Sequence, residues 1–144
     1  MKYLLDTCVI SELVKRKPND KVIQWIENQQ EEALYLSVIS IGEIQKGISK
    51  LPESDRKQKL QVWLKEELSL RFEKRIMNID IQVAKTWGEI QSKAEQKGKS
   101  LPAIDSLIAA TGLAYQLTVI TRNIEDMVES GVNLYNPWEV EPIN

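Results

Sequence analysis

Leu34-Tyr35-Leu36-Ser37-Val38-Ile39-Ser40-Ile41-Gly42-Glu43-Ile44 is the stretch that decides the fold. Leu34 to Ser37 is short and mostly apolar, which reads as a strand. The period then changes. Ile41, Ile44 and Ile48 recur at helical spacing, and Ser37 or Ser40 is placed to cap the helix that carries them.

The same alternation runs outward in both directions. Before it, Lys2 to Leu5 reads as a short buried strand ended by Asp6. Residues 7–16 and 20–29 read as helices, parted by Lys17-Pro18-Asn19-Asp20, and Val22, Ile23, Trp25 and Ile26 form a stripe on the second. After it, Leu51-Pro52-Glu53-Ser54 is a break. Residues 54–70 then read as a charged amphipathic helix with Leu60, Trp63, Leu64 and Leu68 on one face.

Arg75 to Ile79 reads as a strand, and Asp80 as the cap of a helix running to about Gln96 and stopping at Gly98. Its stripe is Val83, Ala84, Trp87, Ile90 and Ala94. Ser100, with Pro102 near the first turn, opens a helix to about Tyr115. Leu117 to Thr121 is an apolar strand, and Gly131 to Tyr135 a weak last strand before Asn136-Pro137-Trp138. Strands alternating with helices predict an α/β fold, its mostly parallel sheet of about four to five strands flanked by helices on both faces. With 144 residues and no repeat, low-complexity tract or linker, the expectation is one domain over 1–144.

Composition narrows the chemistry. There is no histidine, which excludes His-based acid–base catalysis, a Ser-His-Asp triad, HExxH zinc sites and two-histidine iron sites. The single Cys8 excludes an internal disulfide and a multi-cysteine zinc site. With no histidine to activate it, Cys8 reads as a small buried side chain rather than a nucleophile. A formal charge of −2 does not advertise a nucleic-acid binder, yet basic residues cluster locally. No apolar run approaches the roughly 18 residues of a membrane span. Met1 to Leu5 is too short for a signal peptide, so no membrane and a cytoplasmic location are expected.

Four acids stand where apolar runs end or helices begin: Asp6, Glu43, Asp105 and Asp126. Each has an ordinary reading. Asp6 is a strand-end or capping residue, Glu43 a solvated helix residue, and Asp126 a loop acid with Glu125 as its alternative. Asp105, between Ile104 and Leu107-Ile108, is the hardest to explain structurally, a helix-dipole role being its ordinary reading. In α/β sheets ligands gather at the carboxyl ends of the strands, where these four are placed to converge. Carboxylates beside an apolar core are costly unless paired or bound to a cation. Together they point to a hard-metal site and phosphate chemistry.

At these residues the chain resembles the PIN-domain ribonucleases, specifically the VapC/FitB-like toxins of bacterial toxin–antitoxin pairs. The matching segments are Leu4-Leu5-Asp6-Thr7 with Ile10-Ser11-Glu12-Leu13, and Leu36 to Ile44 with Lys46-Gly47-Ile48. Leu101 to Ala110, Val119 to Asp126 and Val132 to Trp138 continue the match in order over nearly the whole chain. The resemblance implies a PIN-like three-layer fold and an acidic quartet at Asp6, Glu43, Asp105 and Asp126. Thr7, Thr121 and Asn123 map onto the polar groups that support it, although Thr121 and Asn123 read equally well as turn residues.

It further implies Mg²⁺ or Mn²⁺, with Asp6 and Asp105 as direct ligands. Glu43 and Asp126 would bind through water, complete a second ion site or orient the nucleophile. The activity implied is metal-dependent endoribonucleolytic hydrolysis of RNA by a toxin. The partners implied are an RNA substrate, a cognate antitoxin, a second copy in a homodimer, and DNA only through the antitoxin. Lys46 and Arg122 are candidate phosphate contacts, followed by Lys15, Arg16, Lys97 and Lys99. Cys8 stands where relatives often carry Asn, so a hydrogen bond to the site is expected to be lost or weakened, and Met127 replaces a common Phe. Glu12 is open between an exposed acid, a partner contact and a site role. Trp25, Trp63 and Trp87 read as core or interface, and the stripes at 22–26 and 60–68 as docking or dimer surfaces.

Two other classes compete. One is a catalytically weak or inactive module of the same fold, acting through antitoxin binding and DNA-bound autoregulation. The other is a phosphoacceptor receiver domain. That needs adjacent acids after the first strand, and Asp6 stands alone there.

Overall fold

The computed structural model describes residues 1–139. Its sheet has five strands: β1 (Tyr3–Leu5), β2 (Leu34–Ser37), β3 (Ile76–Met77), β4 (Thr118–Ile120) and β5 (Leu134–Tyr135). Their order is β3-β2-β1-β4-β5, and every pairing is parallel. Each expected strand is present, though β3, β4 and β5 are shorter than their apolar runs. The register sets Leu4 against Tyr35 on one side and Val119 on the other.

Among the described residues eight α-helical segments connect the strands: α1 (Thr7–Glu12), α2 (Asp20–Glu27), α3 (Val38–Ser49), α4 (Asp55–Val62), α5 (Ser69–Arg71), α6 (Ile81–Gln96), α7 (Ala103–Tyr115) and α8 (Ile124–Met127). Alternation along the strands divides the interior in two. Leu5, Leu34, Leu36 and Ile120 face one core with Val9, Ile10, Val22, Ile44, Leu68 and Phe72. Leu4 and Val119 face the other, with Val83, Ile90, Ile108, Ala109 and Met127. Both faces of the sheet are covered, which is why the strands read as apolar runs without polar alternation.

Caps follow the sequence closely. Asn19, Ser37, Ser54 and Asp80 each accept a backbone N–H at the start of a helix. Of the two serines before α3, Ser37 is therefore the cap. Gly98 takes φ +70° after α6. Ser100 does not cap α7. Pro102 precedes its first residue without a side-chain bond, and Ser106 Oγ donates to Ala103 O at 2.9 Å.

Three expectations change. The helix over 7–16 stops at Glu12, because that carboxylate accepts Asn19 N–H at 2.9 Å and bonds Lys15, folding the chain back. The helix over 54–70 is present but winds as a π-helix from Trp63 to Leu68 before α5. Leu64, Leu68 and Phe72 are all buried at four-residue spacing. That spacing drifts by about 40° per step on an α-helix, and a wider turn takes up the drift. The stripe at 22–26 is no free surface: Val22 and Ile26 are buried, and Trp25 packs edge-on to Tyr3 with centroids 5.0 Å apart. Leu64 and Leu68 likewise belong to the core, which leaves Leu60 and Trp63 half-buried at the surface.

No helix among the described residues is long and apolar enough to cross a membrane.

Candidate active site

The chain runs from β1 outward to β2 and β3, then returns to the other side of β1 for β4 and β5. The order therefore switches at β1 and β4, and a crevice opens at their carboxyl ends. Asp6 N–H donates to Ile120 O at 2.9 Å, which sets Asp6 directly beside Thr121.

Asp6 is 3% exposed and caps α1. Its Oδ1 accepts Thr7 N–H at 2.8 Å, and its Oδ2 accepts Thr121 Oγ1 at 2.7 Å. Burial pushes its pKa up, Thr121 and Thr7 pull it back, and the charge of Glu43 raises it further, leaving it above the ordinary value. Thr121 Oγ1 in turn accepts Asn123 N–H at 2.9 Å. Thr121 thus supports Asp6 through its hydroxyl, whereas Asn123 contributes its backbone there.

Cys8 Sγ lies 3.8 Å from Asp6 Oδ2 as a donor and 3.8 Å from Thr121 Oγ1. The expected loss is partial: a weak thiol contact stays on the same oxygen.

Glu43 sits on α3, one turn after β2. Thr7 Oγ1 donates to its Oε1 at 2.6 Å and lies 2.9 Å from Ser40 Oγ. Ser40 is fully buried. Thr7 therefore joins two of the four acids, its N–H on Asp6 and its hydroxyl on Glu43.

Asp105 lies in the first turn of α7, which is pinned from behind. Trp87 Nε1 and Gln91 Nε2 both donate to the buried Ser106 Oγ, at 3.0 and 2.9 Å. Trp87 is thus a half-buried support for the turn that carries Asp105. The Asp105 carboxyl is pushed up to about 6, by burial first and then by the charges of Asp6, Asp126 and Glu43. Asp126, exposed on α8, is therefore the acid that faces Asp105, and Glu125 is not among the charges that raise it.

None of the four acids is in an ion pair among the described residues. The basic side chains in such pairs serve other acids: Lys15 with Glu12, Lys57 with Glu53, Arg71 and Arg75 with Glu31, Lys99 with Glu129. Asp6 and Asp105 are the two whose pKa is raised, by burial first and then by neighbouring acidic charge, and a bound cation would offset that cost.

No three Asp, Glu or Cys side chains among the described residues close into a ready-made ion cage. Mg²⁺ does not require one, since it keeps several waters and takes one or two carboxylates. The donor set, oxygen throughout except for one protonated thiol, fits such a hard ion. Burial and the charge of Asp6 hold that thiol's pKa above its ordinary value.

The remaining residues divide. Lys46 and Glu43 line one groove, of about 440 Å³, together with Lys50 and Ile104. Arg122 and Asp126 line another of about 440 Å³. Lys15 and Lys99 are ion-paired, as above. Glu12 is 2% exposed and serves the α1–α2 connection. Burial opposes its ionisation, but hydrogen bonds from Lys15 and Asn19 and the charges of Lys15 and Arg122 outweigh it, so its pKa is lowered. Ser40 and Ser106 were missed from sequence. Their signal is a hydroxyl in an otherwise apolar helical stretch beside a candidate acid.

Fold and crevice together describe a doubly wound α/β domain with an acidic centre at its switch point. The chain belongs to the PIN domain family, whose profile matches residues 3–126. It is 34% identical over 136 residues to VapC ribonuclease Y4jK of Sinorhizobium fredii, covering 94% of this chain and 97% of that protein. It is 36% identical over 135 residues to Toxin FitB of Neisseria gonorrhoeae, again covering 94% and 97%. Among solved structures it is similar to a chain of FitAB bound to the IR36 DNA fragment, at TM-score 0.92 and 34% identity, with 99% of each chain covered.

Proposed function

We propose that this chain is an endoribonuclease toxin of a toxin–antitoxin pair, cutting RNA at Asp6, Glu43, Asp105 and Asp126 with the help of Mg²⁺ or Mn²⁺. One observation carries the reading. Burial, and after it the charges of Asp6, Asp126 and Glu43, push the Asp105 carboxyl up to about 6, and none of these four acids is ion-paired among the described residues.

Asp6 and Asp105 would hold the ion, Asp6 being oriented by Thr121 and Thr7. Such an ion, when bound, polarises a phosphate, lowers the pKa of a water and offsets charge on the leaving oxygen. Glu43, tied to Thr7, and Asp126, whose charge reaches Asp105, would orient the attacking water or complete the ion's shell. Lys46 and Arg122, on the two flanking grooves, supply positive charge to the RNA backbone. Without histidine, the protons of the reaction move through water and carboxylates.

The antitoxin would cover the apolar groove of about 250 Å³ that starts at Thr7 and Glu43 and runs past Ile44, Ile48, Leu60 and Trp63. A cytoplasmic homodimer, reaching DNA only through the antitoxin, completes the reading.

The test is incubation of total RNA with purified protein in Mn²⁺ or Mg²⁺, in EDTA, and with Asp6→Asn or Asp105→Asn. Discrete metal-dependent fragments that vanish in both variants, at unchanged circular dichroism, are expected. Cleavage by both variants at the parent rate would sink the site. Intact RNA, no heat of metal binding and tight antitoxin binding together would instead make the chain a binding module of this fold.

A further inference from the structure

Arg122 is the first residue after Thr121 at the end of β4, and it is exposed. Its guanidinium carbon lies 4.4 Å from the centroid of the Trp138 ring. No carboxylate pairs with it among the described residues. Glu12, the acid whose ionisation its charge assists, is already engaged by Lys15 and Asn19 N–H.

The ring beneath it is anchored. Trp138 packs against the core that holds Leu5 and Ile120, and its backbone N–H donates to Asn136 Oδ1 at 2.9 Å, while its indole N–H is buried without a partner among the described residues. Pro137 between them is buried. Thr121 N–H donates to Tyr135 O at 3.0 Å, which ties the end of β4 to the end of β5 just before this turn. The Asn136-Pro137-Trp138 turn and Arg122 therefore belong to one small rigid unit.

Stacking uses the face of a guanidinium and leaves the N–H groups at its edge free. Those donors form a planar fork that matches phosphate oxygens. A groove of about 440 Å³ opens beside them, walled by Arg122, Asn123, Glu125, Asp126, Asn136 and Glu139. Asp126 lines this groove and its charge reaches Asp105, which sets the groove beside the acidic centre. Arg122 is its single basic wall residue among the described residues, and Glu125 and Glu139 repel a backbone phosphate placed anywhere else along it.

We propose that this groove carries the RNA nucleotide flanking the cut, with Arg122 binding the phosphate next to the scissile one and Trp138 acting as the positioning residue that holds Arg122 in place. The inference rests on the ribonuclease reading and deepens it. The Asn-Pro-Trp turn then has a use beyond closing the fold. It converts a long flexible cation at a strand end into a fixed phosphate receptor, so that less conformational freedom is lost when RNA binds.

The experiment uses the full chain and a single-stranded RNA found to be cut by end-mapping. Steady-state cleavage in Mn²⁺ is compared for the parent, R122Q, W138L and W138F. Binding of the same labelled RNA is followed by anisotropy against salt in the Asp105→Asn background. R122Q, at an exposed position, is expected to raise KM about tenfold with kcat within a factor of three. Its log K against log salt slope should be shallower by about 0.7, the loss of one phosphate contact on a single strand. W138L should reproduce both changes, and W138F, which keeps an aromatic face, should restore most of KM.

An unchanged KM and slope in R122Q, with the parent still cutting, overturns this inference and leaves the ribonuclease reading standing. W138L behaving as the parent while R122Q is impaired overturns the positioning role. A parent that neither cuts nor binds RNA in Mn²⁺ overturns the ribonuclease reading itself, and the inference with it.

Discussion

Asp105 is the residue whose environment is most at odds with its charge. Its carboxyl titrates near 6 in the fold against 3.8 when unperturbed. Between those values the native state holds more protons than the unfolded chain. The contribution of Asp105 to the stability of the metal-free protein therefore falls as pH rises from about 4 to about 6, and stays low above that. Asp105→Asn removes the charge and the penalty. Thermal melts in EDTA should place the variant above the parent at pH 8 by about 1 kcal/mol, or roughly 3 °C, once solvent screening of a half-exposed group is allowed for. The gap should close towards pH 4. Millimolar Mn²⁺ should reverse the order, because only the parent gains from the ion. A gap between parent and variant that does not change with pH in EDTA would remove the argument that burial and neighbouring charge raise Asp105. Thr7 and Thr121 matter at the same scale: a hydroxyl on each side keeps a buried, costly Asp6 carboxylate aimed at the crevice rather than buried in a partnership with a lysine.

At the scale of elements, α7 lies unusually close to the sheet. A Cβ on Gly112 would stand 2.8 Å from Val132 Cγ2, 2.9 Å from Val119 Cγ2 and 3.0 Å from Leu117 O. Two of these are β-branched side chains on buried residues and the third is backbone, so none yields cheaply. Gly112→Ala would gain about 1 kcal/mol of helix propensity and lose about 1–3 kcal/mol to overpacking. A net loss of up to about 2 kcal/mol is expected in urea unfolding. Because α7 also carries Asp105, RNA cleavage should weaken in the same variant. A stabilised Gly112→Ala would show that the helix can move off the sheet. The π-helical stretch at Trp63 to Leu68 has the opposite character: it alters winding to keep Leu64 and Leu68 on the core.

For the whole molecule the division of labour is clear. One core lies under α1 to α3 and the helix that follows, the other under α6 to α8, and Asp6, beside Thr121, stands where the two halves of the sheet meet. Since the 22–26 stripe is spent on the core, a homodimer must use other surface. Light scattering at micromolar concentration should return twice the chain mass of 16.5 kDa. A mass of one chain would remove the dimer while leaving the site untouched.

The sequence by itself determined the alternation of strand and helix, most of the caps, and the four acids, because each depends on local period or on a residue's own chemistry. Leu34 to Ile44 shows strand, cap and helix in eleven letters, and Asp80 and Gly98 mark the two ends of α6 as plainly. Tertiary structure alone decided the rest. The burial of Glu12 and the end of α1 depend on Asn19, seven residues away, and the π winding depends on a core built from distant segments. The meeting of Asp6 with Thr121, of Thr7 with Glu43 and of Arg122 with Trp138 depends on which strand ends lie side by side. Strand order is a property of the packed sheet, and no local pattern in the chain encodes it.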